Sequence, residues 1–160
     1  MALASMSEIF ERMARNGQEF WEVVLADDMD ERQVSREASM AKMLTTWQAM
    51  QDAADSYTGR KRSVSGLVGG DGQRLYHYSK GRTLCGQVIN EAVSYALATA
   101  EVNASMGRIV ACPTAGSCGI VPAVLESVQQ SLDLTDEEVT MGLFTSAAIG
   151  SVVAFKASVS

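Results

Sequence analysis

Residues 112–122, Cys-Pro-Thr-Ala-Gly-Ser-Cys-Gly-Ile-Val-Pro, place thiols, hydroxyls and a run of small residues side by side. Thr114, Ala115, Gly116, Ser117, Cys118 and Gly119 carry no bulky side chain, so a ligand can come close to their backbone N–H groups. Pro122 fits the first position of a helix that follows. A helix start has unpaired N–H donors and a partial positive charge. The chemistry such a turn supports is binding of a carboxylate or a phosphate. On residue types alone it serves equally well as a tight strand-to-helix turn with no ligand. It is not a nucleotide P-loop, because Cys118-Gly119-Ile120 supplies no lysine. Nor is it a nucleophile elbow, since Gly116-Ser117-Cys118-Gly119 does not fit Gly-x-Ser-x-Gly.

The remaining reactive side chains are few. Cys85, Cys112 and Cys118 are an odd number at spacings that make neither a disulfide framework nor a four-thiolate iron site. They read as small buried thiols in a reducing, cytoplasmic setting, and no metal ligand is assigned. His77 is the only histidine and titrates near neutrality. Standing alone between Tyr76 and Tyr78, it reads as structural or exposed, and no catalytic base is assigned. The net charge is −6, and the only basic cluster is Arg60-Lys-Arg62, which excludes nucleic acid as an expected partner.

These residues must be positioned by a chain of 160 residues, enough for one domain with a real core. Apolar spacing predicts a helix over 6–26, with Gly17 as a break or kink, then a turn at Asp27–Asp30. A long helix follows over 31–57, with Met40, Met43, Leu44, Trp47, Met50 and Ala54 as a core stripe, closed by Thr58-Gly59. Residues 60–83 are rich in glycine and serine and predict a long loop or turns, with a possible strand at 74–78. Another helix runs from Thr83 or Leu84 to about Met106. Its Ala92, Val93, Ala96, Thr99 and Ala100 are small enough to let a neighbour approach closely, and Gly107 ends it. Arg108–Ala111 is a strand candidate that Pro113 terminates. Helices are expected over 122–130 and, after a capping box at Thr135–Glu138, over 136–157. Gly142, Ser146 and Gly150 make one smooth face of that last helix. Its apolar run Val139–Phe155 is short for a membrane span and holds several small polar residues, so a buried helix is expected and no membrane partner. No charged-then-apolar leader opens the sequence. The fold expected is all-α or mainly α, with a Gly-rich loop region and at most a few short strands.

Three segments, Ser65-Gly-Leu-Val-Gly-Gly-Asp71, Glu101-Val-Asn-Ala-Ser-Met-Gly-Arg108 and Cys112-Pro-Thr-Ala-Gly-Ser-Cys-Gly-Ile-Val-Pro122, resemble the α chain of the iron–sulfur-dependent L-serine dehydratases. Ser35-Arg-Glu, Met40 to Met43 and Trp47-Gln-Ala-Met50 fit as well, and the third segment is the most specific. The resemblance implies an L-serine ammonia-lyase of amino-acid degradation and gluconeogenesis, which eliminates water from L-serine to give pyruvate and ammonia. It implies a 4Fe-4S cluster acting as Lewis acid, a β chain or domain as partner, and an oligomer. By resemblance the substrate-facing residues are Ser65, Gly66, Asn103, Thr114, Ala115, Gly116, Ser117 and Gly119. The family's cluster cysteines follow a Ser-Gly-Ala-Glu-Gly-Gly-Cys type of segment beyond the point where Ser158-Val159-Ser160 stands here. Residues 1–160 are therefore expected to be the N-terminal part of that catalytic domain, truncated at 160, inactive alone and without a cluster of its own. The alternative is a non-catalytic helical subunit that binds an anion or assembles with a partner chain.

Overall fold

A computed structural model of the chain describes residues 5–156. Among the described residues there are seven helices, one short 3-10 turn and no strand, so the fold is mainly α as expected. The helices are α1 (Met6–Asn16), α2 (Phe20–Arg32), α3 (Arg36–Asp55), α4 (Asp71–Ser79), α5 (Gly86–Ala104), α6 (Ile120–Leu132) and α7 (Asp136–Lys156). They fall into two compact units, residues 1–45 with 136–160 and residues 46–135, so α3 contributes to both.

In the first unit, Ser5 starts α1 by accepting the Glu8 N–H at 3.2 Å. Gly17, at φ 64°, stops it. Ile9, Val23, Val24, Leu25, Phe144 and Ala148 form the buried cluster, and Met6, Met13, Phe20, Trp21, Met29, Met40 and Met43 pack around it. The methionine stripe is thus core, as its helical spacing predicts. The expected turn at Asp27–Asp30 is instead the C-terminal part of α2. Asp27 is buried and pairs with Arg12 at 3.1 Å, and Asp28 pairs with Arg32 one turn on, so these acids are held in helix by partners that lie outside their own run. The helix ends at Gln33 instead, which adopts the left-handed conformation at φ 54°. Helix α7 buries Val139, Thr140, Leu143, Phe144, Ala148 and Val152, and leaves Ile149, Val153 and Phe155 exposed. By length and composition it is the one described helix that could cross a membrane.

In the second unit α5 packs against both α4 and α6. Of the small residues expected to admit a neighbour, Ala96 does so, and Ala98, outside that set, does so as well. A Cβ on Gly119 would lie 2.3 Å from the Ala96 carbonyl oxygen, and one on Gly72 would lie 2.9 Å from the Ala98 nitrogen. Residues 74–78, read as a possible strand, are helical in α4. Among the described residues no strand exists to pair with it, and the free N–H groups at the start of α4 are capped from α5. Arg108–Ala111 is also not a strand. A strand needs a ladder partner, and among the described residues there is none. Helix α6 starts two residues earlier than expected, which puts Pro122 at its third position. The missing proline N–H is still one of the unpaired donors there, so the helix tolerates it.

Candidate functional site

The central turn is built by its own hydroxyls. Residues 115–117 form the 3-10 turn. Ser117 Oγ donates to the Cys112 carbonyl at 2.9 Å, accepts the Thr114 N–H at 3.3 Å and lies 3.0 Å from Thr114 Oγ1. The Ser117 hydroxyl is therefore engaged within the turn, where it shapes the backbone. Asn103 Nδ2 donates to the Ala115 carbonyl at 2.9 Å and ties the turn to the last turn of α5. Thr114, Ala115 and Gly116 are exposed, and the Ala115 and Gly116 N–H groups take no hydrogen-bond partner among the described residues. Gly116 has open space beside it, the nearest atom to an added Cβ being Thr114 Oγ1 at 3.9 Å. Gly119 is different: it is buried against Ala96, so its small size serves helix packing.

Ser65 and Gly66 sit in a second exposed loop. Ser63 N–H donates to the Val68 carbonyl at 2.9 Å, Gly66 N–H to the Ser63 carbonyl at 2.8 Å, and the Ser63 and Ser65 hydroxyls lie 3.0 Å apart. Arg62 holds the Gly69 carbonyl. No hydrogen bond among the described residues joins this loop to the central turn directly. The link runs through α5.

Glu101 makes that link, and sequence reasoning assigned it no role. It is 4 % exposed. Its carboxylate accepts the N–H groups of Gly70, Asp71 and Gly72 at 2.6, 2.7 and 3.1 Å, and the Tyr57 hydroxyl at 2.6 Å. The first turn of α4 therefore has its anion already, supplied by the protein. Burial alone would raise the Glu101 carboxyl. The Tyr57 hydroxyl and the three backbone N–H groups outweigh it and hold the group below the usual carboxylate range. Conversely, burial and the neighbouring Glu101 push the Tyr57 phenol up. A signal was present in the sequence: Glu101 lies between Ala98 and Val102 and is the one charged residue on the buried face of α5. Glu101 and Asn103 are two residues apart, and such side chains leave a helix on different sides. The end of α5 thus fastens both glycine loops, one from each side.

The other reactive groups do not join this arrangement. Cys85 is exposed, Cys112 half-buried and Cys118 buried, all as free thiols. Burial pushes the Cys112 and Cys118 thiols up, with Cys118 adding to the effect on Cys112. His77 is exposed on α4 with its ring edge-on to Tyr76, centroids 6.1 Å apart.

Comparison with known proteins gives a consistent answer. The family model described as "Serine dehydratase alpha chain" matches residues 15–160. A Bacillus subtilis (strain 168) protein named "Probable L-serine dehydratase, alpha chain" is 41% identical over 140 residues, which cover 87% of this chain and 47% of that protein. The "L-serine dehydratase, alpha chain" of Peptoniphilus asaccharolyticus is 30% identical over 153 residues, covering 94% of this chain and 52% of its own. "L-serine dehydratase 1" of Escherichia coli (strain K12) is 40% identical over 74 residues, 46% of this chain and 16% of that protein. The chain spans about half the length of the alpha chains it matches. No solved structure matches it. With the family model matched along nearly all of its length, and with the central turn and the α5 end formed by the segments that carry the resemblance, the chain belongs to the serine dehydratase alpha chain family.

Proposed function

We propose that this chain supplies the carboxylate-binding part of an L-serine ammonia-lyase, which acts together with a β chain or domain in the cytoplasm. In that reaction the α-proton and β-hydroxyl of L-serine leave as water. The resulting enamine takes up water and breaks down to pyruvate and ammonia. The observation that carries the assignment is the exposed 115–117 turn. Its two leading N–H groups are unengaged and it stands directly before the N-terminus of α6, where a carboxylate is favoured. Asn103 and the Ser117 hydroxyl hold that turn in shape.

Family resemblance assigns a 4Fe-4S cluster that would act as Lewis acid on the serine hydroxyl. The described residues do not fit a ligand set for it. Among them no group of three His, Cys, Asp or Glu side chains could hold a metal ion. The two cysteines of the central segment have thiols pushed up, away from the thiolate a cluster needs. The proposed cluster is therefore held by residues outside 5–156, and the part assigned to this chain is substrate binding.

Gly116→Val in the complete enzyme tests the assignment. The expected result is loss of serine turnover, because a branched side chain covers the N–H groups of the turn. The helical circular dichroism of the chain stays unchanged, because a Cβ at Gly116 meets nothing closer than 3.9 Å. Unaltered serine kinetics would remove the turn from the active site.

A further inference from the structure

Apart from both loops, the second unit carries large apolar side chains on its outside. Of the buried apolar side chains in residues 46–135, only Trp47, Met50 and Val102 are larger than proline, and the rest are alanine, cysteine and proline. By contrast, Ile89, Val93 and Leu97 on α5 and Ile120, Val124 and Val128 on α6 are between 36 % and 60 % exposed. Each set recurs every four residues, so each makes one stripe along its helix. The two helices pack together with Gly119 against Ala96, while Glu126 and Gln130 share a half-open cleft with Glu91 and Tyr95. Helix α6 therefore runs back along α5. On both helices the stripe points away from the cleft side, so the two stripes form one apolar face.

The charges around this face define what covers it. Helices α5 and α6 contain no lysine or arginine. Their three charged residues are engaged elsewhere: Glu91 pairs with Lys80 at 2.6 Å, Glu101 caps α4, and Glu126 lines the cleft. A helix that rests on a lipid surface carries lysine or arginine around its apolar face, so the occupant is not a membrane. Nor is there charge here to steer a transient partner. A large, uncharged apolar face resembles a domain core cut in half, the mark of a permanent contact. The alpha chains of Bacillus subtilis (strain 168) and Peptoniphilus asaccharolyticus share only 47% and 52% of their length with this chain, so about as much alpha chain again lies outside the shared stretch. We propose that this face is the seat of that other half of the alpha chain, which meets it with an apolar, uncharged surface and completes one core with it. The face shares no residue with the 115–117 turn, so its occupancy does not depend on serine binding there.

The test is maleimide labelling of cysteines introduced one at a time in a Cys85→Ser background. Val93→Cys and Val124→Cys report on the face, and Arg74→Cys is the control, the Arg74 side chain being 71% exposed on α4. Each is placed in the 160-residue chain and in a hybrid that joins this chain to the portion of the Bacillus subtilis (strain 168) alpha chain outside its match. In the hybrid, with no β chain added, labelling at 93 and 124 should slow at least ten-fold, while Arg74→Cys labels equally in both. If the hybrid shows no cooperative thermal unfolding, the same cysteines at the aligned positions of the complete Bacillus subtilis alpha chain give the same reading. Labelling at 93 and 124 that stays fast, or that slows only when a β chain is added, would overturn the proposal. So would labelling that slows in the 160-residue chain alone as its concentration rises, because a second copy would then occupy the face.

Discussion

Glu101 shows how one buried charge organises a loop that has little core of its own. Four hydrogen bonds converge on its carboxylate, three of them from the backbone at the start of α4. Glu101→Gln replaces one acceptor oxygen by an amide that faces N–H donors, and it should cost about 2–4 kcal/mol in chemical denaturation at neutral pH. The pH dependence has a definite sign. The folded carboxyl lies below its ordinary value of 4.5, so the group contributes stability above that pH and loses it as pH falls through the lower folded value. The difference between wild type and Glu101→Gln should therefore shrink on acidification below about pH 4.5. A difference that stays constant through that range would contradict the assignment. At Ser117 the hydroxyl shapes the turn from within, so Ser117→Ala should loosen the N–H array. In the complete enzyme the Michaelis constant for serine should rise by about ten-fold, the equivalent of ~1.4 kcal/mol, with a smaller change in turnover number.

At the scale of elements, α5 is the scaffold of the second unit. Its alanines accept two glycines at backbone distance, Gly72 from α4 and Gly119 from the start of α6. Gly119→Ala would place a Cβ 2.3 Å from a backbone oxygen that cannot move aside without shifting α5. It should destabilise the chain by about 1–3 kcal/mol, whereas Gly116→Ala, three residues earlier, should be neutral to thermal unfolding. Equal effects at the two positions would show that the α5–α6 approach is looser than described. Two differences from expectation also belong to this scale. Residues 74–78 read as a possible strand, but α4 is fixed as helix by the cap Glu101 supplies. Arg108–Ala111 has strand-like residues but no ladder partner among the described residues.

At the scale of the molecule, two compact units share α3, and the candidate substrate residues all belong to the second. The thiols here are scattered among exposed, half-buried and buried positions. The 160-residue chain purified without oxygen should therefore contain no stoichiometric cluster. Iron and sulfide analysis that returned about four of each per chain would overturn that expectation. Far-UV circular dichroism should be dominated by helix, as seven helices and no strand among the described residues require.

Much of this was legible in the residues alone, and the reason is local. Helical spacing of apolar side chains marked the methionine stripe of α3, because a helix repeats its buried face every three to four residues wherever it packs. Small residues from Thr114 to Gly119 marked the turn; they leave the backbone accessible at 114–116, whereas at Gly119 small size serves packing against Ala96. What tertiary structure alone decided depends on partners distant in the chain. Asp27 in α2 pairs with Arg12 of α1, fifteen residues away, and residues 71–79 are helix with Glu101, thirty residues away, at their N-terminus. A half-open cleft beside Tyr95 is likewise lined from four helices, α3 to α6, and no spacing within any one of them reveals that Asp55 and Glu126 line the same space.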